Sequence, residues 1–493
     1  MTNILWYSVS LNTGDSFLSG GPLIRAVHDA YTGVHQLSGL NLGRRPMRHR
    51  IAALCTFVVF GLISSASAAG EKPNIVILLA DDLGYADIGA NGCRDIPTPN
   101  IDAIATAGVR FTDGYSNHPV CCPSRAGLLS GLYPHRFGFE HNSGPEQFAA
   151  PNFGIPRAIP ILPEKLRAAG YATAITGKWH VGFKEGLRPH ERGFDFSYCF
   201  LGGQHTYTPG NRDAPIFRNG EPIEETAYLT DALAREAVDF IDRSAEKPFF
   251  LYVPFNAVHA PMEATASYTG RFPGIADPTR KTFAGMLSAM DDAVGRIMEK
   301  LRERGLEDNT LVIFYSDNGG PTAQTSSRND PLRGFKTQVY EGGIRVPFLM
   351  QWKGTLPEGM TYSQPIMGFD AHATALAAAG LATSADRPLD GVDLVPFLKG
   401  SSEGAPHEAL FWRAGRQHAA RQGDWKIVRN AGGAGDQLFN LRDDIGESTD
   451  IAGINQAKLK ELQAVYDSWD RQMMPAQWVR QTRPAGDGRT TEE

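Results

Sequence analysis

The chain has 493 residues, 42% hydrophobic and 21% charged, with a formal charge of −6 at pH 7. This is the profile of an ordinary globular protein with one large core and a smaller attachment. The acidic balance excludes a broad basic face that tracks nucleic acid or another long polyanion, so an anionic ligand has to be captured in a local pocket.

Residues 1 to 46 read as an unused extension upstream of Met47. Residues 47 to 68 carry the three parts of a secretory signal peptide: the basic stretch Met47-Arg48-His49-Arg50, an apolar run from Ile51 to Ile63, and Ala66-Ser67-Ala68. The apolar run is too short to span a bilayer, so no stable membrane span is expected in the mature chain. Cleavage near Ala68 implies export, to the periplasm or the medium; Arg44-Arg45 keeps twin-arginine export open if Met1 is the start. Removing residues 1 to 68 takes away five Lys or Arg and two Asp or Glu, which moves the formal charge to about −9. Cys93, Cys121, Cys122 and Cys199 remain. In an oxidising compartment they could form two disulfides, although adjacent cysteines bond to each other only with strain; a Cys93 to Cys199 bridge stays open if Cys121 is modified, and four packed thiols are the simplest reading.

Residues 69 to 400 alternate apolar β-rich runs with helical patterns. Asn74 to Leu79 ends in Ala80-Asp81-Asp82, and Leu311 to Tyr315 ends in Ser316-Asp317-Asn318-Gly319-Gly320. Tyr171 to Thr176 runs into Gly177-Lys178-Trp179-His180, and Pro248 to Val253 runs into Asn256-Ala257-Val258-His259-Ala260-Pro261. These are the marks of buried parallel strands whose carboxyl ends carry the chemistry. Met286, Leu287, Met290, Val294, Ile297, Met298 and Leu301 make one apolar helical stripe, closed by Gly305. The expected fold is α/β: a large, mainly parallel or mixed sheet sandwiched by helices, with ligands outside the strand carboxyl ends. Residues 401 to 480 change texture. Glu408 to Arg413, His418 to Arg421, Trp425 to Arg429 and Gln437 to Leu441 read as short antiparallel strands, followed by a helix with Leu459, Leu462, Tyr466, Trp469 and Met473 on one face. This is a small C-terminal antiparallel-sheet subdomain carrying a helix, and residues 481 to 493 are a polar tail.

Two clusters carry chemistry. In Cys121-Cys122-Pro123-Ser124-Arg125, Pro123 suits a first helical turn and Gly131 the exit, so Cys121 sits at a helix N-terminus, where partial positive charge favours a thiolate or a bound anion. The bland alternative is a buried structural cysteine. Asp81, Asp82, Asp317 and Asn318 offer only hard oxygen donors, which suits Ca2+ best, at about 2.3 to 2.6 Å per oxygen, with Mg2+ open. The bland alternatives are a helix cap and an Asp-Asn-Gly-Gly turn.

Taken together, these segments resemble one family over nearly all of the mature chain. Cys121, Pro123 and Arg125 at C-x-P-x-R spacing, followed by Leu129 and Gly131, resemble the signature at which type I sulfatases convert a cysteine to formylglycine. Asp81-Asp82, Gly177 to His180, His259-Ala260-Pro261, Asp317 to Gly320, and Leu332 to Lys336 with Glu341 to Pro347 look like further family blocks in family order. The resemblance implies that Cys121, once matured by a formylglycine-generating enzyme, becomes a hydrated aldehyde. It joins Asp81, Asp82, Asp317 and Asn318 as a metal ligand, and one of its hydroxyls attacks the sulfur of a sulfate ester. Loss of the other hydroxyl's proton then expels sulfate, which a serine could not do. Arg125, Lys178 and Lys336 are the implied cations for the sulfate oxygens; His259 is the candidate acid for the leaving oxygen and His180 the candidate base, with the two interchangeable. His135, Arg136 and His205 lie in loops that could reach the sugar or aryl part of the substrate, although turns explain them as well. Trp412 and Trp425 read as core aromatics before sugar platforms. The implied reaction is hydrolysis of sulfate monoesters, on a sulfated small molecule or oligosaccharide, with aryl sulfates as assay substrates. The alternatives are a phosphate or phosphonate monoester hydrolase of the same superfamily, and a catalytically silent binding protein whose Cys121 stays a thiol.

Overall fold

The computed structural model describes residues 72–143, 149–209, 214–381, 388–433 and 435–478. The expected N-terminal extension, the signal peptide with its cleavage site and the polar tail lie outside the described residues. In chain order the strands are β1 (Asn74–Ala80), β2 (Val109–Phe111), β3 (Gly114–Tyr115), β4 (Ala172–Lys178), β5 (Phe196–Phe200), β6 (Ile216–Arg218), β7 (Glu221–Ile223), β8 (Phe249–Pro254), β9 (Thr310–Ser316), β10 (Phe348–Gln351), β11 (Met360–Tyr362), β12 (Ile366–Met367), β13 (Leu410–Ala414), β14 (Gln417–Gln422), β15 (Trp425–Arg429) and β16 (Gln437–Asn440). The helices of more than one turn are α1 (Pro99–Thr106), α2 (Cys121–Ser130), α3 (Leu162–Ala168), α4 (Leu229–Ser244), α5 (Pro278–Glu303), α6 (Asp370–Ala378) and α7 (Gln456–Asp470).

Ten strands form one mixed sheet in the order β11-β2-β10-β9-β1-β8-β4-β5-β6-β7. Its middle, β9-β1-β8-β4-β5, is parallel, while β10 and β6 run antiparallel to their neighbours. The continuous apolar run of β1 follows from burial on both faces. Val76 and Leu78 pack with Leu233 and Ala237 of α4 and Met290 and Val294 of α5, whereas Ile75, Ile77 and Leu79 pack with Ala126 of α2, Leu166 of α3 and Ala375 of α6. The expected fold class is therefore observed. The marginal strands, only two to four residues long in several cases, carry too few side chains to announce a period. Helix α5 runs as its stripe predicts: the Asp277 side chain accepts the Arg280 N–H at 2.6 Å at one end, and Gly305 turns the chain out at φ 67° at the other.

The C-terminal residues form the four-stranded meander β13-β14-β15-β16, each pair antiparallel, with α7 packed on it through Leu459, Leu462, Tyr466 and Trp469. The core runs from the large sheet into the meander: Tyr115, Tyr133 and Phe369 share one apolar cluster with Trp412, Ile427 and Phe439. Trp412 is fully buried and donates its indole N–H to the Ser116 carbonyl at 2.9 Å, which makes it a core residue. Among the described residues Cys93, Cys121, Cys122 and Cys199 are free thiols. Among the described residues no helix is long and apolar enough to cross a membrane.

A fully buried ionic knot ties the meander to the main sheet. Lys426 on β15 reaches Glu341 at 2.7 Å and Glu447 at 2.9 Å, with all three side chains at 0% exposure. Glu341 also accepts the Tyr115 hydroxyl at 2.6 Å and Arg345 at 3.2 Å, and its N–H donates to Glu447 at 2.6 Å. Buried charge persists only when paired, so removing one member leaves the others uncompensated. We predict that Lys426→Met lowers the unfolding free energy by about 3 to 5 kcal/mol, read as a lowered midpoint in urea denaturation. An unchanged midpoint would show that the knot contributes nothing to the union of the two sheets.

Candidate active site

The parallel register brings the chemistry together. Ala80 pairs with Ser316, so β1 and β9 release Asp81-Asp82 and Asp317-Asn318 side by side at the carboxyl edge of the sheet. The next two parallel strands deliver Lys178 as the last residue of β4 and His259 from the loop after β8. Gly177 permits the approach, because a Cβ at its φ of 145° would lie 2.0 Å from the Pro254 carbonyl oxygen. Helix α2 begins at Cys121 as read from Pro123 and Gly131. Pro123 is its third residue, where an N–H would have no helical partner, and Gly131 leaves in the left-handed region at φ 76°.

Around Cys121 the side chains interlock. Its Sγ lies 3.6 Å from Asp81 Oδ1. Lys178 Nζ donates to Asp81 Oδ2 at 2.6 Å, and Arg125, one turn along α2, donates from Nε to Asp317 Oδ2 at 2.8 Å while its Nη2 lies 3.4 Å from Asp81 Oδ2. The Asp82 N–H donates to Asp317 Oδ1 at 3.3 Å, and the Asp82 carboxylate accepts Asn318 Nδ2 at 2.7 Å and Lys336 Nζ at 2.9 Å. His259 Nε2 stands 3.6 Å from Asp82 Oδ2. Its Nδ1 lies 2.6 Å from the Ala260 carbonyl, which can only accept; Nδ1 therefore carries the proton of the neutral ring, and Nε2 faces the site. His180 is buried at φ 62°, its ring edge against Gly203, where a Cβ would come within 2.7 Å. Asp81, Arg125, Lys178 and Asp317 are wholly buried, whereas the side chains of Lys336 and His259 keep 14% and 12% exposure and form the open rim.

Burial also sets the ionisation. It pushes the Cys121 thiol well above its ordinary range, and the carboxylates of Asp317 and Asp81 oppose Lys178 and Lys336 there. Burial thus works against the lowering that a helix N-terminus gives a thiol. Burial would raise Asp82 as well, but Lys336 and His259 outweigh it and hold the carboxyl at about 2. Asp317 is pushed up to about 6 by burial and by the charge of Asp81. Burial and Lys336 push His259 down to about 4, and burial and Lys178 push His180 well below the ordinary histidine value.

The donor set fits a hard divalent cation. Three carboxylates converge with the buried Asn318 Oδ1, which has no hydrogen-bond partner. One ligand atom each from Asp81, Asp82, Cys121 and His259 lies within 4.8 Å of all the others. Asp81, Asp82 and Asp317 balance Arg125, Lys178 and Lys336 in charge, so a divalent ion makes the pocket cationic and attractive to an anionic ester.

Three residues read from the sequence as substrate contacts are engaged otherwise. His135 is buried with Nε2 2.7 Å from the Arg413 carbonyl and its ring against Trp469. Arg136 makes a two-pronged pair with Asp390, 2.6 Å from Nε and 2.5 Å from Nη2. His205 is buried, its two ring nitrogens 2.8 and 2.9 Å from the Thr206 and Ala214 carbonyls. The partners of His135 and Arg136 lie far along the chain, in the C-terminal meander and in the loop at Asp390, whereas those of His205 are backbone carbonyls of its own loop. Conversely, the sequence reading assigned nothing to Tyr207 or Asn256, which hold the His259 loop; Asn256 stands in the quoted run before His259, and no local signal marks Tyr207.

Acidic and basic side chains from four strand ends thus gather around Cys121 at the start of α2, and comparison with known proteins gives the class. The sulfatase family model matches residues 73–381. Human N-acetylgalactosamine-6-sulfatase is 36% identical over 360 residues, covering 68% of this chain and 67% of that protein. Arylsulfatase G of Rattus norvegicus is 31% identical over 469 residues, covering 81% and 86%. The solved structure of Ps i-CgsB in complex with k-i-k-neocarrahexaose superimposes with a TM-score of 0.79 at 37% identity, covering 84% of this chain and 96% of that one. The chain belongs to the type I sulfatase family and is a sulfuric ester hydrolase.

If these oxygens hold the ion, calcium at about 100 times its dissociation constant adds about 2.7 kcal/mol to the stability of the wild-type protein, seen as a raised melting temperature that a chelator reverses. Asp317→Asn loses that increment. Parallel titration with magnesium decides between the ions, and no shift with either would overturn the metal assignment.

Proposed function

We propose that this enzyme is exported and hydrolyses sulfate monoesters on saccharides, with position 121, converted to formylglycine, as the nucleophile and one divalent ion held by Asp81, Asp82, Asp317, Asn318 and residue 121. The observation that carries this reading is the contact of Cys121 with Asp81 inside a ring of Lys178, Arg125, Lys336 and His259. The saccharide as leaving group is supported by the N-acetylgalactosamine-6-sulfatase relatives and by the oligosaccharide held in Ps i-CgsB. Export rests on the signal-peptide pattern of residues 47 to 68.

The ion, when bound, polarises the hydroxyl of residue 121 and screens charge on the sulfate oxygens. The chain's own groups do the rest. Lys178 and Lys336 are held by Asp81 and Asp82 beside position 121, so sulfate oxygens can meet fixed ammonium groups that need not reorganise as charge shifts. Arg125, locked on Asp317, keeps the α2 N-terminus against the acidic edge. His259 Nε2 faces the open rim, where the ester oxygen leaves. His259 Nε2, 3.6 Å from Asp82 Oδ2, is placed to carry a proton taken up from solvent and to pass it to the departing alcohol oxygen. His180, on the buried side, serves as the base that releases sulfate from the hydrated residue.

The hydrated aldehyde offers two hydroxyls, one to take sulfate and one to expel it; a serine offers one. Cys121→Ser should therefore release one equivalent of phenol from an aryl sulfate and then stop with sulfate bound to the serine, and Cys121→Ala should release none. Burst kinetics with 4-nitrophenyl sulfate read both. Sustained turnover by either variant would contradict the reading, and so would a wild-type preference for the phosphate ester of the same phenol.

A further inference from the structure

We infer that Tyr207 is the positioning residue for the leaving-group acid: through its hydroxyl it fixes the loop that aims His259 Nε2 at the ester oxygen. This inference rests on the assignment of His259 as that acid. Tyr207 is fully buried, and its hydroxyl lies 2.7 Å from the Asn256 carbonyl and 2.7 Å from the His259 carbonyl, so one phenol bridges both ends of the short loop that turns His259 inward. The same loop is closed from within by the His259 N–H donating to the Asn256 carbonyl at 2.9 Å. Asn256 in turn donates its Nδ2 to the His205 carbonyl at 2.6 Å, so the two segments grip each other twice.

The grip is anchored at its far side. Glu263 Oε2 accepts the backbone N–H groups of Tyr207 at 2.8 Å and Thr208 at 3.0 Å, together with the Thr208 hydroxyl at 3.0 Å. The Tyr207 ring stacks on Tyr228, with centroids 5.7 Å apart, and the Tyr228 hydroxyl donates to the Glu263 carbonyl at 2.8 Å. At the near side, Gly203 of the same segment abuts the His180 ring. Residues 203 to 208 therefore back both histidines of the site, although no side chain among them reaches Asp81, Asp82 or Cys121 within hydrogen-bond distance. Ala257 and Val258 tie the start of the loop to the Asp81 backbone at 3.0 and 2.8 Å, so replacing Tyr207 by Phe keeps the packing and that anchor and removes only the hydroxyl that holds the His259 carbonyl end. A shift of about 1 Å at a reacting group costs roughly a hundredfold.

The discriminating measurement is kcat/KM across a series of substituted phenyl sulfates whose phenols differ in acidity. An acidic phenol leaves unaided, whereas a weakly acidic one needs the proton, so misplacing the acid steepens the dependence on leaving-group acidity; general destabilisation lowers all substrates alike. For Tyr207→Phe we expect a loss of roughly ten- to a hundredfold on the poorest leaving group and under about threefold on the best. Glu263→Gln, which weakens the anchor without emptying any volume, should steepen the dependence in the same direction by less. His259→Ala should show the steepest dependence, and adding Tyr207→Phe to it should cost nothing further. If His259→Ala steepens the dependence and both Tyr207→Phe and Glu263→Gln leave the slope unchanged, the role of Tyr207 is overturned while the acid stands. If His259→Ala itself leaves the slope unchanged, the acid assignment falls and this inference falls with it.

Discussion

Everything at this site depends on how charges can be buried at the edge of a parallel sheet. Asp81, Asp82 and Asp317 leave adjacent strands with almost no exposure, and carboxylates so placed persist only against cations held at contact distance. Arg125, Lys178 and Lys336 supply them, each from a different element. The requirement works in both directions: the acids fix where the cations sit, and the cations compensate the buried acids. The same burial pushes the Cys121 thiol upward, against the pull of Lys178 and Lys336.

The exposure gradient follows from the same constraint. Asp81, Arg125, Lys178 and Asp317 lie deepest, and Lys336 and His259 lie nearer the surface. A pocket built this way spends little on reorganisation when an anionic ester arrives, because its positive groups are already oriented. The rim is also supported from a distance. Arg333, in the loop that carries Lys336, donates to the Glu447 carbonyl at 2.7 Å, and Glu447 belongs to the ionic knot around Lys426. The C-terminal meander thus bears on the active site through one loop.

Much of this was legible in the sequence, and for physical reasons. Strands buried on both faces must be apolar throughout, so Asn74 to Ala80 and Thr310 to Ser316 declared themselves, and the polar residues after them had to lie at the carboxyl edge. A proline in the first helical turn and a glycine past the last bounded α2. The candidate metal and catalytic residues came from blocks whose order resembles a family, and the fold brings them to one place. What local reading could not reach were partners far along the chain. Arg136 looked like a loop residue free to touch substrate until Asp390 appeared opposite it, and His135 until the Arg413 carbonyl did. Glu341 sat in a recognised block without a legible reason, which is Lys426, eighty-five residues on. Tyr207 works through backbone carbonyls, which leave no trace in residue type.

The most direct test of the central claim is the mass of the peptide spanning position 121, taken from protein produced alongside a formylglycine-generating enzyme. The account predicts that this residue has lost sulfur and two hydrogens and gained one oxygen, in a fraction that scales with specific activity on sulfate esters. A fully active preparation in which Cys121 retains its sulfur would contradict it.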